Sequence, residues 1–592
     1  MTVLAAPSDA AHAAAPPRAD HATVSRATAL YGVHAYHTKV PPEGVEPFVL
    51  EHSPAGGVVL DPFCGSGMTG VAARRLGRRP ILFDLSPAAV HITKGYLSQC
   101  ETGKFRAATE RIASRCEDER ALLYRCTCHR CGGSANTAYV IWSDVRACPS
   151  CSANFRLWEQ RATGLRRLTC PACGTSFVKA LGKLVGEAPV SVSLDCVQCG
   201  RVEREPTEED RMRCATSLSG VANWYPRVDF GRNREMWRVG HADLGISTVA
   251  DFYSPRNLRA LAALWAAIHD ESDHAVRHAL EFTFTAIVNR ASRRYQWNAK
   301  RPTNVLGGTL YVSSLRYEFN VFDLWRRKVA AVRRYLLATQ REHGHAIVAQ
   351  ATATALPLAD ASIDYCFTDP PFGANIVYSD CSLLWEAWLD RFTSDRHQAV
   401  IHRHRKVDDG GKALPEYATL MALSLREIHR VLKPGARATV VFQNTHGEVW
   451  EAILEAITSA GFGIEAADTL HKSQPSFKGV KAQLDGERVA ASDVVLTLSR
   501  AQGRSGSGPA RTIEADLSAV WSAVEHAIRA AGGSRRSRST GHLYAIALAA
   551  ALNGGMQPTT VSFERVEAWL RERCREVEGS WRFREGNDDD VP

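Results

Sequence analysis

The chain has 592 residues, of which 45% are hydrophobic and 23% charged, and a net charge of +9. That length exceeds one typical domain, and the composition is globular rather than fibrous or wholly disordered. No run of about 18 uninterrupted apolar residues occurs, which excludes an apolar membrane-spanning helix; the modest positive charge does not by itself identify a polyanionic partner.

Residues 1–29, rich in Ala, Pro and His, read as a disordered tail. They lack the basic start and apolar run of a signal peptide, so a cytoplasmic location is expected. Residues 58–60 predict a short buried strand, followed by a Gly-rich turn, a helix over 68–76 and a strand over 80–83 ending at Asp84. Ser86-Pro87 then opens a second helix, with Ser as cap and Pro at the first helical position. This is half of a parallel α/β unit.

The pattern then breaks for about 245 residues. Paired cysteines come first, then a helical block opened by Ser254-Pro255, where Leu258, Leu261, Leu264, Trp265 and Ile268 share one apolar stripe. Further helices are predicted over 273–290 and 322–340. The α/β pattern resumes with a strand over 363–368, a helix over 417–432, a strand over 437–442, a helix over 449–459, and strands over 462–467 and 493–498. A flexible linker at 501–511 leads to a region, 512–592, that reads as helical.

Two strand-end motifs carry chemistry. Asp61-Pro62-Phe63-Cys64-Gly65-Ser66-Gly67 lies between a strand and a helix, where glycines admit a ligand close to backbone amides. Asp84, at the next strand end, suits the hydroxyls of a ribose. Gly65, Gly67 and Gly70 also satisfy the dinucleotide spacing, so this loop alone leaves a nicotinamide or flavin cofactor open. The second motif, Asp369-Pro370-Pro371-Phe372, follows an apolar strand. A carboxylate, two prolines and an aromatic there make a rigid pocket for a flat ring bearing an amine. Asp369 and a backbone carbonyl, that of Pro370, would accept both amine hydrogens and release the nitrogen lone pair for attack, while Phe372 stacks on the ring.

Eight cysteines form four Cys-x-x-Cys pairs, a spacing that favours metal over disulfides. Taken in chain order, Cys128/Cys131 and Cys148/Cys151 are 16 residues apart, and Cys170/Cys173 and Cys196/Cys199 are 22 apart. Two quartets, each closing on one structural zinc ion with no open position, are therefore expected, with Cys126 as a substitute ligand. The stretch holding Arg293, Arg294, Tyr295, Trp297, Lys300 and Arg301 mixes cations with aromatics and is a candidate nucleic-acid contact.

The Asp61–Gly67 loop, Asp84, Ser86-Pro87 and the Asp369–Phe372 motif together resemble the class I S-adenosylmethionine-dependent DNA amino-methyltransferases, in a large subtype carrying zinc ribbons. So does the upstream stretch Tyr36-His37-Thr38-Lys39-Val40-Pro41-Pro42. The resemblance covers about 30–100 and 346–500. It implies a Rossmann-like sheet whose halves, 30–100 and 346–500, are split by a zinc-ribbon segment, 101–215, and a helical recognition segment, 216–345. It implies S-adenosylmethionine held by Lys39, Asp61, Phe63, Gly65, Ser66, Gly67, Asp84 and Ser86. The activity implied is methylation of adenine N6 or cytosine N4 in DNA, flipped out if the substrate is a duplex. Partner proteins of a modification or defence system fit this setting, as does housekeeping modification. One departure stands out: where such enzymes carry an acid near Thr352 for the cofactor's adenine, this chain has none until Asp360. An RNA methyltransferase of the tRNA guanine-amine type and a non-catalytic zinc-ribbon DNA-binding protein are the alternatives. A cytosine C5 enzyme is not, because Pro-Pro-Phe stands where that class has Pro-Cys.

Overall fold

The computed structural model describes residues 30, 32–162, 165–215, 218, 221–298, 305–340, 342, 344–374, 376–444, 446–471, 492–500, 513–530, 539–557, 560–577 and 580–584. Its centre is a seven-stranded sheet drawn from two distant stretches of chain. The strands are β1 (Val58–Asp61), β2 (Arg79–Asp84), β3 (Ile347–Gln350), β4 (Ile363–Thr368), β5 (Leu432–Phe442), β6 (Phe462–His471) and β7 (Ser492–Arg500). They run in the order β3-β2-β1-β4-β5-β7-β6. All neighbours are parallel except that β7 runs antiparallel to both β5 and β6.

This mixed α/β sheet follows from the sequence pattern. The interior strands β1 and β4 are almost wholly buried, as expected of parallel strands covered on both faces. Strand order reverses between β1 and β4, and ligands of such sheets bind beyond the carboxyl ends of the strands at that reversal. Val59 pairs with Tyr365 and Leu60 with Cys366. That register puts the tips carrying Asp61 and Asp369 side by side, although 307 residues separate Asp61 from its hydrogen-bond donor Thr368.

The intervening segment holds a second, antiparallel sheet built on two long strands, Ser134–Ala147 and Lys183–Cys196. The sequence reading misses both, because Cys, Pro and Gly punctuate their ends. Strand Leu315–Phe319 pairs with the free edge of Ser134–Ala147. The boundary expected at 215/216 is therefore no boundary: strand pairing joins the cysteine-rich and helical parts. Helices Thr102–Arg115, Pro255–His269, His274–Val288 and Val321–Thr339 share one apolar core with helix Pro87–Tyr96 of the main sheet.

The C-terminal region is helical, at Ile513–Ala530, Thr540–Asn553 and Phe563–Arg573, with an added hairpin of Cys574–Val577 and Ser580–Phe583. It is a cap on the sheet: Leu543, Ala547 and Leu548 join Leu496 and Leu498 of β7 in one core. Asn553 seals the join, accepting from the Ala467 amide at 2.7 Å and donating to its carbonyl at 2.8 Å. Those groups lie next to a register shift in edge strand β6, where an unpaired backbone otherwise invites another strand. The expected tail and the linker at 501–511 lie outside the described residues.

Candidate active site

A cavity opens at the tips of β1, β2, β3 and β4. Its wall includes Phe63, Gly65, Asp84 and Ser86 from one stretch of chain, and Thr352, Asp369, Pro371 and Tyr378 from the other. The loop after β1 is shaped by left-handed backbone at Gly65 (φ +51°) and Gly67 (φ +77°). A Cβ on Gly65 would sit 2.9 Å from the Tyr36 ring, and one on Gly70 would sit 2.3 Å from Leu82 Cδ1. The first contact forms the cavity wall and the second lets helix Met68–Arg75 close on β2.

Carboxylates organise this loop. Asp84 accepts from the amides of Gly65 and Ser86, each at 2.9 Å. Asp61 accepts from the Phe63 amide at 3.1 Å and from the Thr368 hydroxyl at 3.0 Å, so it ties the β1 tip to the end of β4. Burial raises the pKa of Asp61 to about 7 and that of Asp84 to about 6, against hydrogen bonds that hold both down. The catalytic-motif backbone is fixed on both sides. Tyr417 Oη donates to the Pro371 carbonyl at 2.7 Å, and Asn444 Nδ2 donates to that of Phe372 at 3.0 Å.

Several expected ligands lie elsewhere. Lys39 does not line the cavity. Its ammonium donates to Tyr96 Oη at 2.6 Å and lies 4.4 Å from that ring's centroid, and burial lowers its pKa to about 7. Ser66 and Gly67 lie behind the wall, as does the buried Pro370. The Phe372 ring packs edge-on against Phe442 at 5.3 Å and joins the core of that half rather than the cavity wall. The aromatics on the wall are Phe63, Tyr36 and Tyr378.

The structure adds Glu386, which the sequence reading missed because nothing distinguishes it within the apolar run of helix Leu383–Leu389. It accepts from Ser86 Oγ at 2.7 Å and from the Thr393 amide at 2.9 Å. Burial, opposed by these bonds, lifts its pKa from 4.5 to about 7. The folded chain therefore holds the Glu386 proton more tightly than the unfolded one. The associated stability is fully present below about pH 4.5 and is lost as pH rises to about 7. We expect Glu386→Gln to flatten that part of the pH–stability curve by up to about 3 kcal/mol. Melting temperatures of both proteins between pH 4.5 and 8 check this; identical slopes would exclude it.

The eight paired cysteines come together, but in a different partition from the one chain order suggests. One tetrad is Cys128, Cys131, Cys196 and Cys199; the other is Cys148, Cys151, Cys170 and Cys173. The long hairpin dictates this nesting. Ala135 pairs with Cys196 at one end and Ala147 with Lys183 at the other, so the outer knuckles meet at one end and the inner knuckles at the other. Within each tetrad the sulfurs lie within 4.8 Å of one another, with close pairs at 3.6–3.8 Å. Four thiolates at about 2.3 Å from a tetrahedral ion would be about 3.8 Å apart, so both sites fit zinc. Cys126 stands outside, near Thr137 Oγ1.

The cation-rich stretch faces inward. Arg293 pairs with Glu187 at 2.8 Å, and Arg294 donates to Asn289 Oδ1 and to the carbonyls of Leu306 and Thr309. Tyr295 is buried against Phe319 at 4.8 Å, and Trp297 packs edge-on against Trp158 at 4.8 Å. Arg293, Tyr295 and Trp297 join the helical part to the antiparallel sheet, whereas the partners of Arg294 lie within its own segment, at Asn289, Leu306 and Thr309. The alternation of charge and aromatics that suggests a nucleic-acid face also describes a buried junction. Lys300 and Arg301 lie outside the described residues.

Part of the chain is similar to known proteins. Residues 16–95 match the DNA methylase family model for N6 and N4 enzymes. A 77-residue stretch is 34% identical to the type II methyltransferase M.MjaII of Methanocaldococcus jannaschii. It covers 13% of this chain and 14% of that relative. Among solved structures, a methyltransferase-assigned protein from Bacillus halodurans is 12% identical over 26% of this chain and 77% of its own, with a TM-score of 0.15. The geranyl diphosphate C-methyltransferase of Streptomyces coelicolor is 10% identical over 48% and 94%, also at 0.15. At those scores the structural likenesses carry no argument; the family match rests on the stretch that contains the loop after β1. Among the described residues no helix is long and apolar enough to cross a membrane.

Proposed function

We propose that this chain transfers a methyl group from S-adenosylmethionine to the exocyclic amine of adenine (N6) or cytosine (N4) in DNA. One observation carries the reading: the cofactor-type loop and the Asp369 motif face one cavity at the strand reversal.

The chemistry of the wall supports the choice of cofactor. Asp84 and Asp369 line the cavity, and among the described residues no lysine or arginine does. A pyrophosphate would meet carboxylates there with no cation to offset them, whereas a sulfonium bearing an ammonium group is attracted. This argues against the dinucleotide alternative. Gly65, Phe63 and Asp84 would hold the cofactor, with Asp84 at the ribose and Phe63 beside it. Thr352 and Thr354, hydroxyl to hydroxyl at 2.8 Å, would take the place of the absent acid at the adenine. When bound, the cofactor supplies an electrophilic methyl.

The remaining steps belong to the chain. Asp369 and a motif carbonyl accept the two amine hydrogens, which pyramidalises the nitrogen and frees its lone pair. Tyr417 and Asn444 hold the motif in register. With Phe63 beside the cofactor, Tyr36 and Tyr378, rather than Phe372, are the wall aromatics left for a flipped base. Asp369 takes up the proton that the amine loses. The two cysteine tetrads, each saturated by four thiolates, would hold structural zinc.

Purified chain with labelled cofactor is expected to methylate duplex DNA. Nucleoside analysis after digestion identifies N6-methyladenine or N4-methylcytosine. Label found in tRNA and absent from DNA would select the RNA alternative instead.

A further inference from the structure

With Arg293 and Arg294 buried, the protein needs another surface to hold a polyanion. The sequence Arg396-His397-Gln398-Ala399-Val400-Ile401-His402-Arg403-His404-Arg405-Lys406 supplies one. In the fold it runs from one cavity to another. His397, Gln398 and Ala399 line the active-site cavity. Arg403 and His404 line a neighbouring cleft of about 580 Å3, whose other walls include Arg146 of the antiparallel sheet, Lys179 of the short helical turn Lys179–Leu181, and Ala374 and Val377 beyond the Asp369 motif.

This strap is a built element. The Ile401 amide donates to the Gly373 carbonyl, at the end of the catalytic motif, at 3.3 Å. His402 and Lys412 clip its base, backbone amide to carbonyl at 2.8 Å and Lys412 amide to His402 Nδ1 at 2.9 Å. Arg405 turns inward to Asp395 at 2.9 Å and the Gly410 carbonyl at 3.0 Å. The buried carboxylate of Glu235, from the intervening segment, accepts from three successive amides, those of Arg403, His404 and Arg405, at 2.8–3.2 Å. The result is that Arg403, His404 and Lys406 stand exposed on a fixed backbone.

Every charged side chain within 396–406 is basic, and the exposed Asp408 and Asp409 follow directly after it. Of the acids lining the cleft, Asp144 pairs with Arg316 at 3.0 Å, Glu235 is occupied by the amides, and Asp243 is the exposed one. Arg146 and Lys179 are each tied, to the Gly182 carbonyl and the Ser314 hydroxyl. The side chains left to meet an external anion are those of the strap, together with Arg238, itself partly held by backbone carbonyls. A small anion asks for convergent donors. Cations spread along an extended strap between two openings suit a chain of phosphates instead.

Building on the proposed methyl transfer, we infer that the strap over 396–406 holds the phosphate backbone of the DNA strand beside the catalytic cavity, with Arg403 and Lys406 contacting phosphates. Glu235 is then a positioning residue that couples the intervening segment to the strap.

The test uses the full chain and a fluorescein-labelled DNA duplex, with affinity followed by anisotropy across salt concentrations. Arg403→Ala with Lys406→Ala should weaken binding by about tenfold or more and reduce the log–log salt slope by about two, since each lost phosphate contact removes about 0.9. Metal content and calorimetric binding of S-adenosylhomocysteine should not change. Arg106→Ala with Arg326→Ala, at exposed positions far along the chain, removes equal charge and should leave the slope intact. Glu235→Gln should lower the transfer rate at limiting DNA more than at saturating DNA. The inference is overturned if wild-type protein methylates DNA while the strap variant keeps its slope, or if the control variant loses as much. Wild-type protein that neither binds nor methylates DNA would instead remove the functional reading itself, and the inference with it.

Discussion

Asp369→Ala is expected to slow methyl transfer to DNA by about 10^3-fold, the loss typical of removing a positioned proton acceptor in a reaction centre. The reason lies in the nucleophile. An aryl amine gives its lone pair to the ring, and the Asp369 carboxylate is the group placed to draw a proton away as the new bond forms. The backbone around it is secured by Tyr417 and Asn444, so the variant should keep the shape of the motif. Cofactor binding, proposed to rest on the Gly65 loop and Asp84, should survive. Asp369→Asn should be nearly as slow, because an amide turns one acceptor into a donor facing the amine. Single-turnover transfer of labelled methyl, read beside calorimetric cofactor binding, separates chemistry from folding. A rate within tenfold of wild type would exclude Asp369 as the acceptor.

The nested tetrads make an equally large prediction about metal. Wild-type protein should carry two tetrahedral ions. Cys131→Ser with Cys199→Ser places both changes in one tetrad, so one ion should be lost and one kept. Cys131→Ser with Cys151→Ser places one change in each tetrad and should weaken both. Pairing in chain order predicts the reverse, since it would put Cys131 and Cys151 together. Elemental analysis of the purified variants decides between them. The cost should be large, because structural zinc sites in small modules contribute on the order of 10 kcal/mol to folding. The first variant should loosen the end of the hairpin where Ala135 meets Cys196 and leave the end at Ala147 folded. Equal metal loss in the two variants would refute the nesting.

Both predictions mark where sequence reading succeeds and where it stops. The strands β1, β2, β4, β5, β6 and β7 are legible because each is an apolar run bounded by turn residues. Asp61, Asp84 and Asp369 are legible because each ends such a run. Lys39 was placed by its position in a motif, yet its ammonium prefers the hydroxyl and ring of Tyr96 on a neighbouring helix. Phe372 was given to the target base, but Phe442 on β5 offers it an apolar wall. The strap over 396–406 escaped notice because a basic run between helices usually marks a solvated loop. Glu235, more than 160 residues earlier, holds three of its successive amides, a contact no local pattern announces.

The sequence by itself determined the local chemistry: a glycine loop after one strand, an acid-proline-proline-aromatic turn after another, and eight thiols in four knuckles. These depend on residues a few positions apart, whose conformations are set by neighbouring backbone sterics. Tertiary structure decided which of them meet. The parallel register of β1 and β4 brings Asp61 beside the end of a strand some 300 residues away. The antiparallel hairpin sorts the knuckles from the outside in, and the fold pairs Arg293, an expected phosphate ligand, with Glu187 of the antiparallel sheet while Arg294 bonds to carbonyls of its own segment. Pairing over such separations is fixed by the burial and hydrogen bonding of whole strands, and no short window of residues contains that information.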